Sequence, residues 1–190
     1  MRTLFVVLLA FGLAACGHVP LSSIPKLKRM DFMTMEVEVL RVAVEMPDGL
    51  RVRPGSAIIN LGLNESAGEP ALQERIVLQQ VPLSQSAGQL AGLAPNAQVF
   101  RIAEADIPRL EAMRETTRAR RKVDPDDTKG TLTVTSGACR TATLPSGPLP
   151  VTTKLKTAPD EPYFTLTRNV DLRTLVPARQ LQTEVPLCQS

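Results

Sequence analysis

Apolar side chains recur at every second position in a succession of short runs, and this period constrains the fold of the chain more than any other feature. Ile59, Leu61 and Leu63 form one set, followed by Ile76 and Leu78, Phe100 and Ile102, Leu132 and Val134, Val151 and Leu155, and Phe164 and Leu166. Successive residues of a strand point to opposite faces, so a two-residue period marks a strand with one buried and one wet side. Thr131, Thr133, Thr135, Thr152, Thr165 and Thr167 fill opposite faces, and proline, glycine and asparagine separate the runs. Seven or eight short segments of this kind predict a mainly β chain, an antiparallel β-sandwich-like single domain.

Two regions depart from the simple pattern. Met33, Met35, Val37 and Val39 share one face opposite Glu36 and Glu38, but from Leu40 the apolar set changes phase to Leu40, Val42 and Val44. A one-residue shift turns every side chain over, so the stretch Met33 to Met46 reads as a bulged strand or two strands meeting. A helix through Val37, Leu40 and Val44 competes with that reading over 36–46. The turn Pro47-Asp48-Gly49 follows. Farther on, Ile107, Leu110 and Met113 stand at helical spacing, with Asp106 as a cap and Pro108 in the first turn. Acidic residues open that segment and Arg118, Arg120, Arg121 and Lys122 close it, which complements the helix dipole. One inserted α-helix is therefore expected at about 104–122. A second, short helix is expected to start near Asn169 or Asp171 and run to Val176.

The N-terminus reads Met1-Arg2-Thr3, then an apolar run from Leu4 to Leu13, then Ala14-Ala15-Cys16. A basic start, an apolar core and a small-residue cleavage site are the parts of an export signal, and the run is shorter than the roughly 20 residues a bilayer span needs. Leu13-Ala14-Ala15-Cys16 resembles the lipobox of bacterial lipoprotein precursors. The resemblance covers only the stretch from Met1 to Cys16, and it implies a diacylglycerol lipid on the Cys16 sulfur and removal of everything before that cysteine. It also implies acylation of the new amino group. Gly17 rather than Asp after the cysteine implies, by the same resemblance, an outer-membrane address facing the periplasm. Two or more acyl chains make such an anchor stable. On this reading 1–15 is signal, 16–25 a lipidated anchor and tether, and 26–190 the periplasmic β-rich domain. Lys26, Lys28 and Arg29 stand where anionic lipid head groups would meet them.

The full chain has 190 residues, and loss of the signal takes away one cation, Arg2, so the net charge falls from +3 to +2. What remains is long enough to bury a core of its own, and so slight a charge gives no reason to expect nucleic acid. Phe32, Phe100, Tyr163 and Phe164 are the aromatics beyond the signal, and there is no tryptophan. Carbohydrate and single-stranded nucleic-acid surfaces normally stack on aromatic rings, so both are disfavoured. With Cys16 taken by lipid, Cys139 and Cys188 remain in an oxidising compartment and are expected to form a disulfide that clamps the C-terminal tail. No C-x-x-C is present to suggest redox catalysis.

Catalytic patterns are sparse. The single histidine is His18, two residues from the expected lipid, which leaves the body without a Ser–His–Asp triad, a Cys–His dyad or a histidine metal ligand. Ser23-Ile24-Pro25-Lys26 matches S-x-x-K, but Pro25 opposes the helix that pattern needs and the accompanying S-D-N and K-T-G elements are missing. Asp124-Pro125-Asp126-Asp127-Thr128-Lys129-Gly130 resembles a calcium loop only loosely. Its glycine is one place late, Lys129 adds a cation, and Thr135 stands where a glutamate belongs. Gly88 to Gly92 spells G-x-x-x-G outside any apolar segment. No metal and no cofactor beyond the Cys16 lipid is expected.

The expected function is non-enzymatic: a lipid-anchored structural or accessory subunit that binds another envelope protein. The alternative is a small-ligand or lipid carrier with an apolar pocket between sheets. An enzyme built on Asp, Glu, Lys or Ser ranks third. The basic group Arg118, Arg120, Arg121 and Lys122 is a candidate contact for an anionic surface. A carrier requires a cavity of several hundred Å³, whereas a partner-binding module requires a filled core and an exposed apolar patch.

Overall fold

The alternating segments are realised as strands in a computed structural model that describes residues 20–63, 72–82, 84, 90–123, 130–177 and 180–189. Ten strands lie among these residues: β1 (Arg41–Glu45), β2 (Leu50–Val52), β3 (Ile58–Leu63), β4 (Leu72–Val77), β5 (Gln79–Gln80), β6 (Gln98–Arg101), β7 (Gly130–Thr135), β8 (Ala138–Arg140), β9 (Pro150–Lys156) and β10 (Phe164–Asp171). Their helices are α1 (Ile24–Arg29), α2 (Ile107–Val123), α3 (Leu172–Leu175) and α4 (Leu181–Glu184). All the strand pairings between named strands are antiparallel. A five-stranded sheet runs β10-β9-β1-β6-β5, a three-stranded sheet β4-β3-β7, and β2 pairs with β8 alone. The molecule is thus mainly β and sandwich-like.

The period-2 logic is clearest in β3, where Ile59, Leu61 and Leu63 are buried and the residues between them half-buried. Gly62 faces Thr131 across the ladder, and a Cβ there would come within 2.6 Å of the threonine hydroxyl, so only glycine fits beside it. β1 departs from the rule because it is covered on both sides, which buries three residues in succession. Val42 and Val44 enter the main core with Phe100, Leu155 and Phe164, while Ala43 joins Val81 and Val99 beneath Leu90 and Leu93. The segment carrying Leu90 and Leu93 is fastened over the sheet by one carboxylate. Glu45 accepts from the Ala94 N–H (2.9 Å) and from Lys154 Nζ (2.7 Å), and Lys154 also donates to the Gly92 carbonyl.

Three expectations need correction. Met33–Val39 is not a strand: Thr34 and Met35 N–H donate to the Asp31 carbonyl, Val39 N–H to Glu36 and Leu40 N–H to Val37, which closes two successive turns. Val37 is still buried, because a turn can present every second residue inward without a neighbouring strand. Pro25 does not prevent a helix, since it lies in the first turn of α1, where its missing N–H costs nothing. Lastly, the helical stretch begins at Leu21–Ser23 and Ser23 is buried, so the expected tether joins the body from Leu21 onward.

The helix expected at 104–122 is a 3₁₀ turn, Glu104–Asp106, running into α2. Asp106 turns its carboxylate to Arg109, whose guanidinium also reaches Glu74 on β4. The second expected helix is α3. Asp171 caps it, as short polar side chains do at helix starts. The Asp171 carboxylate accepts from the Arg173 N–H (3.0 Å) and from the Leu149 N–H (2.8 Å). Asn169 lies in β10, not in that helix.

Candidate functional site

The inward stripe of α2 runs Ile107, Leu110, Met113, Arg114, Thr117 and Arg121, at the three- and four-residue spacing of one helix face. Leu110 is fully buried in the core. Met113, Thr117 and Arg121 instead border a cavity of about 360 Å³ between the helix and the three-stranded sheet. The Thr117 hydroxyl donates to the Met113 carbonyl (2.8 Å). Its hydrogen-bonding is thereby met inside the helix, and its methyl group is left for packing.

Strand β3 supplies Leu61 and Leu63 to the opposite wall and β7 supplies Leu132. The third wall is Met33 and Met35, from the stretch that the sequence pattern suggested as a strand, together with Met30 and, from α1, Leu27. Four methionines therefore border one volume. Their unbranched, polarizable side chains adapt to irregular shapes more readily than leucine or valine would.

What holds the methionine wall in place is Arg114. Its guanidinium is largely buried; Nε donates to the Phe32 carbonyl (2.8 Å), Nη2 to the Met35 carbonyl and Nη1 to Glu111 (2.6 Å). The cation also stacks over the Phe32 ring, 4.9 Å from its centroid, where the negative face of the ring attracts it. At the other end of the wall, Asp31 accepts from the Met33 N–H (2.9 Å). The turns thus obtain from a helix arginine and a local aspartate the hydrogen bonds that a strand would take from a neighbour. Sequence reasoning missed both Arg114 and the cavity. The available signal was the helix stripe itself, which continues past Met113 with a cation and a hydroxyl on its inward side.

The residues singled out from the sequence are dispersed. Among the basic group at the end of α2, Arg121 borders the cavity, Arg118 pairs with Glu115 on the exposed side, Arg120 is half-buried and Lys122 is exposed. Arg118, Arg121 and Lys122 stand at three- and four-residue spacing on one side of the helix, and Arg120 lies off that side. Cys139 and Cys188 are joined by a disulfide as expected, with Cα atoms 4.9 Å apart. The tail lies beside β8: Arg140 N–H donates to the Pro186 carbonyl and Cys188 N–H to the Arg140 carbonyl. Lys26 of the S-x-x-K match places its ammonium over the Phe164 ring, 5.6 Å from the centroid. Cys16, His18 and the acidic stretch 124–129 lie outside the described residues, as do Gly88 and Gln89. No cluster of three or more potential metal ligands occurs among the described residues. None of their helices is long and apolar enough to cross a membrane. Comparison with family models, curated proteins and solved structures gives no match.

Proposed function

We propose that this chain is a lipid-anchored protein of the cell envelope whose β-rich body carries a small apolar ligand of lipid type in the methionine-lined cavity. The observation that carries the reading is a volume of about 360 Å³ bordered by methionine and leucine side chains, with Asp31, Thr117, Thr131 and Arg121 as the polar part of its lining. Volumes of roughly 300–1,000 Å³ are usual for small-molecule sites. The lipobox-like Leu13-Ala14-Ala15-Cys16 supports the location. The short stretch from Cys16 to Pro20 spans at most about 14 Å, which keeps the body, and α1 with it, beside the leaflet that would supply such a ligand. The accessory-subunit reading has less behind it. Among the described residues, the large apolar side chains left exposed, Ile24, Val77, Leu175 and Leu187, belong to different elements, whereas a docking surface needs a contiguous patch.

Native mass spectrometry of the full-length chain, released from membranes of an expressing bacterium, tests the cavity. One non-covalent lipid adduct per chain is expected. It should be lost in Met33→Trp, which fills the cavity from an accessible turn, and kept in the surface variant Leu187→Ser. A wild-type chain without an adduct overturns the carrier reading. The anchor has its own readout: Cys16→Ser should abolish incorporation of radiolabelled palmitate, and normal labelling of that variant removes the anchor assignment.

A further inference from the structure

A second cleft, of about 400 Å³, opens where the turn after β2 meets the turn between β7 and β8. Its two charged lining residues are both guanidinium groups, Arg53 and Arg75, and Ser56, Thr135 and Ser136 add hydroxyls; among the described residues no carboxylate lines it. The strand pattern explains the absence. Gln73, Arg75 and Val77 of β4 face outward with Thr131, Thr133 and Thr135 of β7, and Ile58, Asn60 and Gly62 of β3 lie between them. The nearest acidic residue on β4, Glu74, points to the other side and pairs with Arg109. In a chain with 22 cationic and 19 anionic side chains, a face with arginine, threonine and no acid stands apart.

One of the two arginines is set in a braced turn. Arg53 N–H donates to the Gly137 carbonyl (2.9 Å), and Ser56 N–H returns a bond to the Arg53 carbonyl (3.1 Å). The Ser56 hydroxyl accepts from Gly137 N–H (3.1 Å) and lies within donating distance of the Arg53 and Gly137 carbonyls (2.6 and 3.0 Å). The guanidinium itself lies over Gly137, with Nη2 3.0 Å from where a Cβ would stand. Two like charges in one cleft repel, and a doubly charged oxyanion relieves that repulsion while accepting hydrogen bonds from both groups. A braced turn also lowers the ordering cost of binding.

We propose that this cleft binds a phosphate group, held by Arg53 and Arg75 with hydroxyl support from Thr135 and Ser136. The site is separate from the methionine-lined cavity and does not depend on the carrier reading.

The test is calorimetric titration of the full-length chain, kept in non-ionic detergent at constant ionic strength, with inorganic phosphate and with glycerol 3-phosphate. Saturable binding is expected. Arg53→Gln and Arg75→Gln should each weaken it about tenfold or more, as loss of a charged hydrogen bond does. Arg168→Gln removes the same charge from an exposed position on β10 and should leave the affinity unchanged. Tighter binding of the ester identifies a lipid head group as the source, and equal affinity identifies free phosphate; either outcome upholds the site. Absence of saturable binding to both probes overturns the proposal, as does an equal loss in Arg168→Gln.

Discussion

Arg114 shows how much one side chain decides when it is buried with its partners. A cation with about 9% of its side chain exposed survives because two carbonyls, a carboxylate and an aromatic face meet it at once. Hydrogen bonds to charged groups contribute about 1.5–3 kcal/mol each, so Arg114→Leu should lower unfolding stability by about 3 kcal/mol in urea denaturation. Arg114→Lys should recover less than half of this, since an ammonium lacks the planar fork that reaches Phe32 and Met35 together. Asp171 makes a different kind of contribution, visible in pH. Backbone N–H groups of Leu149 and Arg173 hold its carboxyl below the usual carboxylate range. A folded-state pKa depressed in this way adds stability that is present above the unfolded value of about 3.9 and is lost as pH falls through the folded one. Acid unfolding followed by circular dichroism should therefore show a shallower decline below about pH 4 for Asp171→Asn than for the parent.

At the scale of elements, the edges of the five-stranded sheet are managed by irregularity. β10 pairs only with β9, and its register shifts twice, between Thr165 and Thr167 and again between Thr167 and Val170. Asn169, at φ 51°, occupies the second irregularity and exchanges hydrogen bonds with Thr152. A bent edge strand is a poor template for another chain. The two-stranded β2–β8 ribbon solves a related problem by borrowing the C-terminal tail. Leu181 and Val185 bury their side chains in the core, and the disulfide ties Cys188 to β8 across a sequence separation of 49. Closing a loop of that length is worth about 4 kcal/mol in the chain-entropy model. Cys139→Ala/Cys188→Ala should lower stability by about that amount. Hydrogen exchange should rise first at Arg140 and Cys188, whose backbone bonds hold the tail, and later in β3. Equal protection throughout would show that the tail stays docked without the bridge.

Across the whole molecule, what could be read from the sequence was whatever a period could carry. β3, β4 and β7 announced themselves because exposure alternates along them, β6, β9 and β10 through apolar pairs at even spacing such as Phe100 and Ile102, and α2 because Ile107, Leu110 and Met113 share a stripe. β2 and β8 are three residues each, so no run was present to detect. Met33–Val39 carried the strand period without a partner strand, and its backbone needs are met by Asp31 and by Arg114 across the fold. The cavity was illegible for the same reason: its walls come from α1, two turns, β3, β7 and α2, which only tertiary structure assembles. The order β10-β9-β1-β6-β5 also has a consequence in time. β1 occupies the middle of its sheet, yet its neighbour β9 is made more than a hundred residues later, and α4 near the very end supplies core side chains. Pairing across so long a separation delays folding. A nascent chain therefore cannot complete its central sheet until β9 has been made, and until then the strand at the middle of that sheet keeps one edge open.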